Sequence, residues 1–274
     1  MITLKIHDKA IPALGFGTWK LRDTECSEAV KLALSTGYRH IDTAQIYENE
    51  AAVGTGIRES GIPRDQVFLT TKVWMSNLGD DALQKSVEDS LRKLKTDYVD
   101  LLLIHWPTDA VPLAEQLRAL QAVKDAGKAV MIGVSNFTVA QMREATENLG
   151  SPLANNQVEY HPYLSQKPVL DFIRAHDMFL TAYCPLARGQ VSQSATLTEI
   201  GKKYNKNPGQ VTLRWLLQQD NVAAIPKAAS PANIKNNFDI FDFNLTPEEM
   251  AEISALARPE GRLVNPDWAP AWDK

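Results

Sequence analysis

The sequence predicts a (β/α)8 barrel, and three observations carry that expectation. Short apolar runs suited to strands alternate with amphipathic stretches suited to helices, and the alternation repeats eight times. At 274 residues, 44% hydrophobic and 23% charged, the chain has the length at which such a barrel closes around one core. A single domain over residues 1–274 is expected, with no linker or low-complexity run to divide it.

Taken in order, Ile2, Leu4 and Ile6 alternate with Thr3 and Lys5, and His7, Asp8 and Lys9 form a polar turn before residues 10–14, so an N-terminal β-hairpin is predicted. Strand cores follow near residues 15–18, 40–43, 68–73, 99–105, 129–135, 155–159, 178–183 and 222–226. Helical spacing of apolar residues marks 24–35, 81–94, 113–126, 139–149, 168–175 and 208–218, and another helix opens behind Asn49 as its cap. Two extra helices, 196–204 and 246–256, lie outside the eightfold count. The second has Thr246 as cap, Pro247 at its first position and Glu248 and Glu249 in its first turn.

Bulk properties exclude several classes. The 29 basic and 33 acidic residues are interspersed at a net charge of -4, without a basic run to track phosphates, so nucleic acid is not an expected partner. The N-terminal run is neither a signal peptide nor a membrane span, so no membrane association and a cytoplasmic location are expected. Cys26 and Cys184 stand far apart and are expected as reduced thiols. None of the five histidines has the spacing of a metal site, so no metal is expected.

The chemistry gathers at three successive strand ends. GYRHIDTAQIYENEAAVG, residues 37–54, sets Asp42 at the end of a strand and Tyr47 on the loop behind it; FLTTKVW sets Lys72 at the next strand end and VDLLLIHWP sets His105 at the one after. In a barrel of this kind the C-terminal strand ends form the face that carries active sites. A free phenol has a pKa of about 10 and is a poor acid at neutral pH. An ammonium beside Tyr47 is expected to lower that value, and a carboxylate beside the lysine to keep it charged.

The long motifs at 37–54 and 91–107, with IPK at 225–227, resemble the aldo-keto reductases, and the resemblance runs from LGFGTW at residue 14 to the tail. The tail GRLVNPDWAPAWD is most similar to the bacterial 2,5-diketo-D-gluconic acid reductases, particularly their B type. The resemblance implies reduction of small aldehydes and ketones by hydride from NADPH, with NADH as a second possible donor. Tyr47 would give the proton to the carbonyl oxygen, His105 would orient that oxygen, and Asp42 and Lys72 would complete the catalytic four. It also implies a hairpin closing the barrel's bottom.

The same resemblance implies where the cofactor lies, since no GxGxxG follows a strand. Ser135, Asn136 and Gln157 would hold the carboxamide and Tyr183 would stack on the nicotinamide, with Thr18, Trp19, Asp42, Pro185, Leu186, Lys227, Ser230, Asn233 and Asn237 as further contacts. Trp19, Trp74 and Trp106, with His105, would line the substrate pocket, which short loops leave shallow and open. Four positions depart from the family pattern: Ala228 replaces a serine, Asn233 an arginine that meets the 2'-phosphate, Asn236 an acid near the adenine, and Cys184 a serine common in the family, a minor packing change. The expected partner is a small carbonyl compound and the expected state a monomer. A non-catalytic cofactor-binding protein is the alternative, and the intact catalytic four weigh against it.

Overall fold

The computed structural model describes residues 2–273. In it β1 (Thr3–Ile6) and β2 (Lys9–Pro12) form an antiparallel hairpin, with His7 and Asp8 in the left-handed region at its turn. Eight strands follow, namely β3 (Phe16–Gly17), β4 (His40–Asp42), β5 (Phe68–Val73), β6 (Val99–Ile104), β7 (Ala129–Ser135), β8 (Leu153–Glu159), β9 (Phe179–Tyr183) and β10 (Val222–Ala224), each parallel to the one before. Gly15 N donates to Ala224 O and Ala224 N to Ala13 O, both at 2.8 Å, and Gly17 N donates to Pro226 O at 3.2 Å. These bonds curl the sheet until its first and last strands meet, giving a barrel-like fold. Gly17 permits the approach, because a Cβ there would lie 2.7 Å from Ile225 O.

The helices outside the sheet are α1 (Asp23–Thr36), α2 (Glu50–Glu59), α3 (Asp80–Leu94), α4 (Leu113–Asp125), α5 (Val139–Arg143), α6 (Lys167–Ala175), α7 (Ala195–Tyr204), α8 (Pro208–Leu217), α9 (Pro231–Phe238) and α10 (Pro247–Ser254). Those expected outside the alternation are α7 and α10. In α10, Thr246 and Glu249 exchange hydrogen bonds across the first turn, which satisfies two amides that the helix ladder leaves free.

Two elements differ from the sequence reading. The helix expected over 139–149 ends as α5 at Arg143 and continues as a π-helical turn, Glu144–Asn148. No helix was predicted over PANIKNNF, yet α9 forms there behind Ser230, whose side chain accepts from Asn233 N, and Pro231 at its first position. Its buried face is only Ile234 and Asn237, too little for apolar periodicity to reveal.

Inside the curl, Ile6 and Ile11 of the hairpin pack with Phe68, Leu101, Leu103, Met131, Phe179 and their neighbours, all buried. Each such side chain contributes roughly 1.5–3 kcal/mol when removed from water. Strand alternation puts Phe68, Thr70 and Lys72 on one face of β5. The same inward stripe that is apolar beside the hairpin therefore delivers an ammonium at the opposite end. Among the described residues no helix is long and apolar enough to cross a membrane, and no group of His, Cys, Asp and Glu could hold a metal ion.

Candidate active site

Asp42 ends β4, Lys72 lies one residue before the end of β5, His105 follows β6, and Tyr47 closes a short 3-10 turn, Gln45–Tyr47. The fold thus brings the four candidate residues to one end of the sheet. Lys72 Nζ donates to Asp42 Oδ1 at 2.6 Å and to Thr43 O at 2.8 Å, and reaches the Tyr47 hydroxyl at 3.5 Å. The other carboxylate oxygen of Asp42 accepts from Gln157 Nε2 at 2.8 Å. Gln157, expected at the cofactor carboxamide, has one of its amide hydrogens committed to Asp42.

Burial pulls the Lys72 ammonium below its usual range, and the charge of Asp42 and its hydrogen bond lift it part of the way back. Tyr47 corrects the sequence expectation. Its pKa is raised, not lowered, first by burial and then by the negative charge of Asp42. The ammonium makes its shorter bonds to Asp42 and Thr43, so the phenol receives the longest of its three contacts. Tyr47 keeps part of its surface exposed, and solvent moderates the upward push. The hydroxyl is consequently a stable holder of its proton at neutral pH.

His105 is buried, and burial followed by the charge of Lys72 holds its imidazole well below 6.5, so it is neutral. Its Nδ1 has no partner among the described residues. The ring stands edge-on to Tyr47 at 5.7 Å and to Trp74 at 5.3 Å, while Trp19 lies tilted against Tyr47 at 4.7 Å. Trp19 is 46% exposed and forms an outer wall.

Ser135, Asn136, Gln157 and Tyr183 form one hydrogen-bonded group. Ser135 Oγ donates to Gln157 O at 2.7 Å, Asn136 Nδ2 to His105 O at 3.1 Å, and the Tyr183 hydroxyl to Asn136 Oδ1 at 2.8 Å. Thr18 Oγ1 donates to Asp42 O at 2.9 Å. Pro185 and Leu186 lead into a loop where Ala187, Arg188 and Gly189 all have positive φ. Lys227 bridges to Gly17 and is exposed, close in sequence to the start of α9, where Ser230 serves as cap, Asn233 is exposed and Asn237 is buried.

One expected helix cap is corrected, and two further features were not read from the sequence. Asn49 stands at the cap position of α2 but makes no side-chain cap bond. It accepts instead from Thr43 Oγ1 at 2.7 Å and donates to Thr18 O and Leu21 O at 2.9 and 3.1 Å, tying the loops after β3 and β4 together. Gln45 Oε1 accepts from Trp74 N and Asn77 Nδ2, both at 3.0 Å, and so fixes the wall tryptophan. The tail supplies a further wall: Trp268 stands edge-on to Trp74 at 6.3 Å and Trp272 to Trp106 at 6.1 Å. The mouth is therefore more enclosed than its short loops imply, and Trp106 is buried.

The sequence model of the Aldo/keto reductase family matches residues 13–258. The chain belongs to that family. This aldo/keto reductase is 44% identical over 267 residues to the methylglyoxal reductase DkgB of Salmonella typhi, covering 96% of this chain and 99% of the relative. It is 42% identical over 267 residues to a glyoxal reductase of Bacillus subtilis (strain 168), covering 97% and 96%. Among solved structures, a candidate 2,5-diketo-D-gluconic acid reductase B superposes with a TM-score of 0.98 at 53% identity, over 100% of this chain and 98% of that one.

Proposed function

We propose that this aldo/keto reductase reduces small aldehydes and ketones, methylglyoxal or 2,5-diketo-D-gluconate among them, to alcohols with NADPH, and that Tyr47 is the general acid. The curled sheet is read as a closed (β/α)8 barrel, and the protein as a cytoplasmic monomer. The observation that carries the reading is the Asp42, Lys72 and Tyr47 chain of contacts at 2.6 and 3.5 Å, flanked by His105 and Trp19. The methylglyoxal and glyoxal reductases among the relatives support the substrate class.

The residues present suit the cofactor. Lys227 is exposed and has no carboxylate partner among the described residues, and it precedes a helix N-terminus, a combination that favours phosphate. Lys227, Ser230, Asn233 and Asn237 would hold the phosphate end, and Ser135, Asn136, Gln157 and Tyr183 the nicotinamide end, with Thr18, Trp19, Pro185 and Leu186 between them. When bound, the reduced nicotinamide supplies a hydride to the carbonyl carbon.

The protein's own residues handle the oxygen. Tyr47 transfers its hydroxyl proton to the carbonyl oxygen, and Lys72 stabilises the resulting phenolate from 3.5 Å. Asp42 opposes neutralisation of Lys72 in its buried position. The neutral His105 orients the oxygen without competing as a proton source. Trp19 and Trp74 keep bulk water from the reacting atoms.

The test is the fall in nicotinamide absorbance on adding methylglyoxal or a diketo-gluconate, for the wild type and Tyr47→Phe. The variant should bind cofactor normally and lose about 100- to 10,000-fold in rate. A variant that keeps more than about half its rate when chemistry limits turnover would contradict the role given to the phenol. Cofactor binding without turnover of any carbonyl compound by the wild type would instead favour a non-catalytic protein.

A further inference from the structure

Glu159 ends β8, two residues beyond Gln157 on the same face of the strand, and is completely buried. Its oxygens point to the tail. Oε1 accepts from Leu263 N at 2.7 Å and faces His161 Nε2 at 3.0 Å; Oε2 accepts from Val264 N at 2.9 Å and lies 4.0 Å from Arg262 Nη1. Two successive tail amides thus converge on one carboxylate. The tail beyond Gly261 has neither helix nor strand, and its own backbone contributes one turn bond, Ala269 N to Pro266 O. The buried acid anchors its start through two amides, and nearer the end Asp273 Oδ2 accepts from Val139 N at 2.9 Å.

What the anchor holds in place faces the substrate. The Arg262 guanidinium stacks 3.7 Å from the Trp272 ring, which meets Trp106, and earlier in the tail Trp268 meets Trp74, itself edge-on to His105. At the tail's start Gly261 lies so close to Tyr163 O that a Cβ would fall 1.7 Å from it, which fixes the direction in which the segment leaves α10. We infer that Glu159 is a positioning residue that clamps the tail over the substrate mouth, so that the size of carbonyl compound admitted depends on this buried carboxylate. The inference rests on the proposed reductase reading for its kinetic consequence alone.

Glu159→Gln keeps the shape and replaces one acceptor oxygen with a donor that opposes a tail amide. A hydrogen bond to a charged group is worth enough to change a population about tenfold or more. The ratio of kcat/KM for methylglyoxal to that for a bulky aromatic aldehyde should fall about tenfold, with the NADPH dissociation constant unchanged within about twofold. Tryptic cleavage after Arg262 should quicken, as should acrylamide quenching of tryptophan fluorescence. Trp272→Ala should reproduce the shift in ratio, and Glu159→Gln added to it should change the ratio less than about twofold more, because both act through one segment. Leu263→Pro removes one donor from the tail side, outside every helix and strand, and gives the same comparison if the Glu159 variant fails to fold. An unchanged ratio with unchanged cleavage, or additive effects of Glu159→Gln and Trp272→Ala, would overturn the inference. Should the wild type turn over neither aldehyde, the reductase reading fails, and cleavage and quenching still decide whether Glu159 holds the tail.

Discussion

Asp42 divides its oxygens between Lys72, 30 residues away in sequence, and Gln157, 115 residues away. The candidates could be picked out in the sequence because Asp42, Lys72 and His105 carry distinctive chemistry at strand ends and Tyr47 stands on the turn just after β4. Their tuning could not, because it depends on which neighbour stands closest, and that is why the upward shift of Tyr47 was missed. Two of the three buried histidines, His40 and His105, set an acid limit on stability. Burial lowers the pKa of His40 and of His105 in the folded chain, against about 6.5 when unfolded. Below about pH 6.5 the unfolded chain therefore takes up protons that the folded chain refuses, and stability falls as pH drops. Each histidine contributes a slope of at most about 1.4 kcal/mol per pH unit. Urea midpoints measured from pH 7 to 5 should fall less steeply for His105→Gln than for the wild type. Equal slopes would show that His105 titrates normally in the fold.

At the scale of elements, the proposed reading puts cofactor choice at α9. Its first turn offers Ser230 and Asn233, and the one nearby cation in the IPK run is Lys227. An amide at 233 provides hydrogen bonds without charge, whereas a guanidinium meets phosphate through two parallel bonds. Asn233→Arg should tighten NADPH about ten- to a hundredfold and affect NADH little, read by fluorescence titration at two salt concentrations. Equal tightening of both cofactors, or of neither, would place residue 233 away from the 2'-phosphate. Most strands and long helices were legible because their apolar spacing is strong. The missed α9 has a buried face of two residues, and the π turn at Glu144–Asn148 is a local change of pitch that leaves no mark in periodicity. Glu159, and the loop contacts that replace the cap bond expected of Asn49, escaped for another reason: their partners lie in segments, the tail and the loop after β3, that only the folded chain brings alongside.

Considered as a whole, the molecule is joined by bonds between its beginning and its end, since Ala13 and Gly15 meet Ala224 where the curled sheet closes. That closure has a kinetic meaning. Contacts so distant in sequence form only after most of the chain is available and carry the largest entropic cost of loop closure. A chain emerging from the ribosome would hold Asp42, Lys72 and Tyr47 early, while Gln157, the tail amides and the final strand arrive later. In refolding from urea, helical signal should recover ahead of carbonyl-reducing activity, with activity following the slowest phase. Coincident recovery of both signals would indicate a single concerted step. Until the last strand docks, β3 and β9 present unpaired edges. The interval between helix formation and closure is therefore when this protein is most exposed to aggregation, and a raised protein concentration during refolding should lower the yield of active enzyme without slowing the early helical phase.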